Sequence, residues 1–168
     1  MLLVLAQAGP VRDSAAPTVV EARLLPGGAF EVDLQTDLDA LLLGLSPAAE
    51  ASSRVLAMER LRREGRAGEA AAVARLGDLL RRRLRLRFDG EPAAFEISFP
   101  ERRTLPGGDL VTLGPRVRLR GATPSGARAF TFFASRSFRG VELRTVAGER
   151  ASRQVLQPGA ESAPVALP

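Results

Sequence analysis

Lysine, histidine, cysteine, tyrosine, tryptophan and asparagine are all missing from this sequence of 168 residues. Without histidine or cysteine the chain has no ordinary zinc or copper ligands, no thiol nucleophile and no imidazole base. A metal site would have to be built from oxygen alone. No disulfide can form, so the cysteine count assigns no compartment. No stretch of about 18 apolar residues occurs, and no segment reads as a membrane-spanning helix. A G-x-S-x-G elbow and a phosphate-binding glycine loop are also absent. No two carboxylates are paired in the pattern a glycosidase needs. The chain is therefore expected not to be an enzyme, and no cofactor or metal ion is expected.

What is present is arginine. All 24 basic residues are Arg, set against 19 acids, for a net charge of +5. The sequence pI of 11.3 reports missing buffers as much as excess charge, because nothing titrates between neutrality and the guanidinium range. Arginine without lysine, with Ala, Gly and Pro in plenty, fits a GC-rich codon bias. Hydrophobic residues at 45% and charged residues at 26% are ordinary globular composition, and the length suits one domain with a real core.

The N-terminal stretch "MLLVLAQAG" joins a short apolar run, Leu2 to Leu5, to the small-x-small pattern Ala6-Gln7-Ala8. Residues 1–14 read as the remnant of a secretory signal or as a disordered end, with export and cleavage near Ala8 expected if the upstream signal is complete. A first β-strand is the other reading.

Further along, "TVVEARLL" (18–25) reads as a strand, "PGG" (26–28) as a turn, and "AFEVDLQT" (29–36) as a strand with Phe30, Val32 and Leu34 on its apolar face. The two should pair as a hairpin. "DLDALLLGL" (37–45) breaks the alternation. A helical insertion over about 47–82 follows, with Ser46 as N-cap and Pro47 at the first helical position. Ala51, Val55, Met58 and Leu61 form a rough stripe on its first helix. "EGRAG" (64–68) interrupts it, and Val73, Leu76, Leu80 and Leu84 share a face of the second.

The stretch "RRRLRLRF" (81–88) then changes period. Arg81 and Arg82 close the helix, where cations favour the dipole. Arg83, Arg85 and Arg87 alternate with Leu84, Leu86 and Phe88 as a strand would, and Asp89-Gly90 is a hairpin turn signal. "AFEISF" (94–99) alternates again through Phe95, Ile97 and Phe99. "RVRLRG" (116–121) repeats the arginine device, with Arg116, Arg118 and Arg120 against Val117 and Leu119. "TLPGGD" (104–109) is a loop. "ARAFTFFAS" (127–135), "GVELRTVAG" (140–148) and "RASRQVLQPG" (150–159) complete about seven or eight short strands. The expected fold is mainly β: an antiparallel Ig-like β-sandwich spanning 15–160 as a single domain, with the helical hairpin inserted after the second strand and an extended C-terminal tail at 161–168.

Three stretches, "DLDALLLGL" (37–45), "RLRLRFDGEP" (83–92) and "VLQPGAESAPVAL" (155–167), in this order resemble the extracytoplasmic N-terminal domain of HupE/UreJ-type membrane proteins. The likeness covers most of residues 15 to 167. It implies a periplasmic or secreted β-rich domain that follows a signal peptide and precedes a multi-helix membrane part, here expected outside the chain. Members of this architecture commonly carry a histidine near the cleavage site. This chain has none, so metal ligation by such a residue does not carry over. The implied function is a non-enzymatic extracytoplasmic binding or interaction domain, accessory to membrane transport, with a membrane protein or another envelope component as partner.

Two further readings of the residues compete with this one. Asp33, Asp37 and Asp39 form the only tight acidic set and would suit an oxygen-ligand cation site, but no glycine and no distal glutamate follow in the register of a Ca²⁺ loop. Asp37 reads better as a helix cap and Asp39 as a first-turn acid. The second is an arginine-rich polyanion or nucleic-acid module, with Arg83, Arg85, Arg87, Arg116, Arg118 and Arg120 as the contact face. A single-strand binder also wants exposed aromatics, and most of the eight Phe fall on apolar strand faces, so specific nucleic-acid binding is not expected.

Overall fold

The computed structural model describes residues 18–45, 49–104, 111–138 and 140–167. The chain begins with β1 (Thr18–Leu25) and β2 (Ala29–Gln35), then a short helix α1 (Leu38–Leu42) and a long one, α2 (Ala51–Arg83). Ten strands follow: β3 (Leu84–Phe88), β4 (Glu91–Pro92), β5 (Glu96–Ser98), β6 (Arg103–Thr104), β7 (Val111–Thr112), β8 (Arg116–Ala122), β9 (Ala129–Ala134), β10 (Val141–Ala147), β11 (Arg150–Leu156) and β12 (Val165–Ala166). The protein is mainly β. The excess over the expected strand count comes from β4, β6, β7 and β12, each two residues long and too short to show an alternation.

Six strands form one sheet in the order β11-β10-β1-β2-β8-β5, four form a second in the order β12-β9-β3-β4, and β6 pairs with β7 alone. The hairpin β1–β2 has the expected register, with Val20 opposite Leu34 and Ala22 opposite Val32. One pairing corrects the antiparallel expectation. β10 lies parallel to β1, with Val20 opposite Leu143, so the larger sheet is mixed. Turn signals announce neighbours along the chain, and these two strands are not neighbours along it. The C-terminal segment, read as a tail, lies along β9: Phe132 N donates to Ser162 Oγ, and Val165 pairs with Phe130.

Alternation fills the core. Val20, Ala22, Phe30, Val32 and Leu34 from the first hairpin are buried, as are Leu86 and Phe88 from β3 and Phe130 and Phe132 from β9. Phe88 links the two sheets: its ring centroid is 5.5 Å from Phe30 and 5.4 Å from Phe130. Phe95, Ile97 and Phe99 point toward this cluster but are only half-buried, because β5 is a three-residue edge strand. The β3–β4 turn is the Asp89-Gly90 pair, both residues at positive φ (51° and 85°), as a two-residue I′ hairpin requires. Asp89 also accepts from the backbone N–H groups of Arg128 and Ala129.

The insertion departs from expectation at its start. Residues 46–48, including the Ser46 cap and Pro47, lie outside the described residues, and α2 starts at Ala51 with Glu50 as N-cap and no side-chain cap bond. The expected interruption within 64–68 is present: α2 consists of two helical stretches broken at Gly65, which leaves helical conformation (φ 64, ψ −158), and the second stretch runs to Arg83. The stripe on its first turns also fails: Leu61 is buried and Met58 half-buried, but Val55 is 58% and Leu56 66% exposed. The second stripe holds, with Leu76, Leu80 and Leu84 buried.

Gly121 sits on β8 opposite Phe30 on β2. A Cβ there would lie 2.5 Å from both the Ala94 carbonyl oxygen and Phe30 Cζ. Backbone cannot swing aside as a side chain does, so Gly121→Ala should lower unfolding stability by about 2 kcal/mol through overpacking. An unchanged urea midpoint would mean that the β5 edge moves freely.

Candidate binding site

The outer face of the larger sheet carries charges in complementary columns. β2 presents Glu31 and Asp33; β8, its neighbour, presents Arg118 and Arg120 in register with them. Arg118 grips Asp33 with two parallel bonds, Nε to Oδ1 at 2.7 Å and a terminal nitrogen to Oδ2 at 2.8 Å. Arg120 lies 2.7 Å from Glu31, and Arg116 lies 3.5 Å from Glu101. On the other side, Arg23 reaches Glu31 and Glu21, and Glu142 takes both Arg144 and Arg153. The Arg118 hydrogen bonds hold the Asp33 carboxyl below its usual range, against a smaller upward push from burial, and the Arg118 guanidinium is raised in turn. Glu142 is lowered by hydrogen bonds from Arg153 and Arg144.

The six arginines read as one contact face are therefore not brought together. Arg116, Arg118 and Arg120 lie on β8 in the six-stranded sheet, each beside an acid. Arg85 and Arg87 lie on β3 in the four-stranded sheet, and Arg83 is the last residue of α2. Arg85 stacks over the Phe133 ring at 5.0 Å, and Arg87 contacts Glu161 at 3.3 Å. Changing Arg83, Arg85 and Arg87 to Gln should thus cost about 1–2 kcal/mol, from one cation–π contact and one partly exposed ion pair. A melting curve superimposable on the wild type would show that neither contact matters.

Asp33, Asp37 and Asp39 each have separate structural work. Asp33 belongs to Arg118. Asp37 caps α1, accepting from Ala40 N at 2.9 Å, and pairs with Arg54 at 2.7 Å. Asp39 in the first turn of α1 accepts from Thr112 Oγ1 at 2.7 Å and Leu113 N at 3.0 Å, tying the helix to β7.

Those ties set α1 against α2 and leave a cleft between them. Its volume is about 500 Å³, and Leu41, Leu43, Leu76 and Leu79 form much of the wall, with Arg75, Asp78 and Arg82 among its polar lining. Asp78 is engaged by Arg81 at 3.4 Å. Among the described residues Arg75 and Arg82 have no ion pair. A smaller cavity of about 210 Å³ adjoins, sharing Leu42, Leu43, Ala72 and Arg75 and adding Arg60 and Glu64. The sequence offered one sign of this cleft: Leu41, Leu42 and Leu43 in succession cannot all face the core from so short a helix.

Charge is distributed just as unevenly. α2 holds nine arginines against four acids, an excess of five equal to the net charge of the whole chain. The other fifteen arginines are balanced by fifteen acids. A neutral β scaffold thus carries one basic helix. No helix among the described residues is long and apolar enough to cross a membrane. No family model and no curated protein matches the chain.

Proposed function

We propose that this chain is a non-enzymatic binding domain that works outside the cytoplasm, in the periplasm or after secretion. Its partner is a membrane protein or another envelope component, and its role is accessory to membrane transport, in line with the resemblance to HupE/UreJ-type proteins. The observation that carries the binding function is the α1–α2 cleft, with leucines lining it and two arginines beside them that have no acid partner among the described residues. A concave site that sets an apolar wall beside fixed polar groups is how proteins hold small ligands or partner side chains. The chemistry here suits a group that is apolar at one end and anionic at the other. The engaged state of Asp33, Asp37, Asp39 and Glu142 supports binding over catalysis, since each already serves an arginine or a backbone donor. The same reading takes the two sheets as an Ig-like β-sandwich, supported by the Phe30–Phe88 contact between them.

Anilinonaphthalene sulfonate, an apolar anion, is a suitable probe. It should bind saturably and brighten. Arg75→Gln with Arg82→Gln should weaken it about tenfold, by loss of two charge-assisted contacts. Leu41→Gln with Leu79→Gln should do the same by wetting the wall. Probe binding untouched by both pairs would remove the cleft from consideration. For location, protease added to spheroplasts should digest the native protein and spare a cytoplasmic marker; protection would place the protein inside.

A further inference from the structure

The first part of α2, before the break at Gly65, presents a solvent face that no packing contact among the described residues uses. Leu61 is its buried anchor, and Ala57 and Met58 are half-buried beside it. On the opposite side lie Val55 and Leu56, more than half exposed, with Glu59, Arg62 and Arg63, all exposed. Helical spacing sets 55 and 56 each beside 59, with 62 and 63 two turns further along the same side. Among the described residues Arg62 has no ion pair, and Arg63 has only a 3.4 Å bond to the Glu59 carbonyl. Two consecutive large apolar side chains in water, flanked by two exposed arginines and Glu59, sit on the one element that holds the protein's entire charge excess.

We propose that this face of α2 docks onto an anionic lipid bilayer. The arginines would meet lipid phosphates, and Val55 and Leu56 would enter the boundary between headgroups and acyl chains, as surface-lying basic helices do. Charge complementarity calls for a polyanion, and the apolar pair selects among polyanions. A nucleic acid offers phosphates but nothing for an aliphatic pair, and α2 has no aromatic side chain on which a base could stack. An interfacial helix uses both groups at once. With the break at Gly65 the docking segment is about 14 residues long, or about 21 Å at 1.5 Å per residue, so it can lie on a bilayer and cannot cross it. The surface is distinct from the leucine-lined cleft, and its arginines line neither cavity.

The test is co-sedimentation of the full chain with sucrose-loaded vesicles, either pure phosphatidylcholine or phosphatidylcholine mixed equally with phosphatidylglycerol. Binding should appear on the anionic vesicles alone and fall as salt rises. Arg62→Gln with Arg63→Gln should reduce partitioning about twenty-five-fold, since each arginine near such a surface contributes about fivefold. Val55→Ser with Leu56→Ser should remove the part of binding that persists at high salt. A charge-matched control, Arg128→Gln with Arg150→Gln on exposed strand ends, should stay within about threefold of wild type, because remote charges are screened. Equal binding to neutral vesicles, equal loss in both arginine pairs, or α2-dependent binding of an oligonucleotide but not vesicles would each overturn the proposal. Sulfonate-probe binding that survives the Arg62 and Arg63 changes separates failure here from failure of the cleft.

Discussion

Phe88→Ala should lower the unfolding free energy by about 3–5 kcal/mol, the range for removing a buried phenyl ring that cannot be refilled by collapse. Phe88 is 2% exposed, near the end of β3, and its ring lies between Phe30 of the larger sheet and Phe130 of its own. Three anchored strands converge there, so neighbours have little freedom to close the hole. Calorimetry or urea denaturation checks it directly, with Phe95→Ala as the comparison. Phe95 is half-buried under the short β5 edge and should cost clearly less. Equal losses at the two positions would mean that the sheet-to-sheet contact has no special weight.

Asp33→Asn should be the next most damaging change, at about 3 kcal/mol. Asp33 is 4% exposed, and its two oxygens take both bonds from Arg118; removing the charge leaves a largely covered guanidinium with only Glu31, at 3.5 Å, for compensation. Breaking one side of a buried pair costs about 3–5 kcal/mol, and the partial exposure of Arg118 puts this case at the low end. The pH dependence has a definite sign. The hydrogen bonds from Arg118 hold the Asp33 carboxyl below its ordinary value. A carboxyl depressed by folding adds stability that is complete above its unfolded pKa of about 3.9 and is lost as the pH falls through the lower folded value. The gap between wild type and Asp33→Asn should therefore be constant at neutral pH and narrow only in acid below about pH 4. A gap that instead widened in acid would contradict this.

Much of the β framework was legible because alternation is a local signal. Phe30, Val32 and Leu34 against Glu31 and Asp33 announce both the strand and its buried side, and Asp89-Gly90 announces the next hairpin. The arginine columns were legible as strands but not as ion pairs. Arg118 meets Asp33 across 85 positions of sequence, and no periodicity reports which strand lies alongside. The parallel β1–β10 pairing escaped for the same reason. Val55 falls on the apolar stripe that spacing predicts with Met58 and Leu61, yet it is exposed, because spacing shows that a face is apolar, not whether another element covers it. The cleft depends on the Asp39 ties to Thr112 and Leu113, contacts made across more than seventy residues.

The parallel pairing also sets a timetable. β1 gains its first partner, β2, a few residues after it leaves the ribosome, but the strand that completes its other side begins at Val141. At about 5–20 residues per second, the intervening stretch of about 120 residues takes on the order of ten seconds to synthesise. For that interval the N–H and C=O groups along one side of β1 stay unpaired, a template for strands of other chains. The last strands made therefore close the first one, and a nascent chain stalled before β10 should be the aggregation-prone form of this protein.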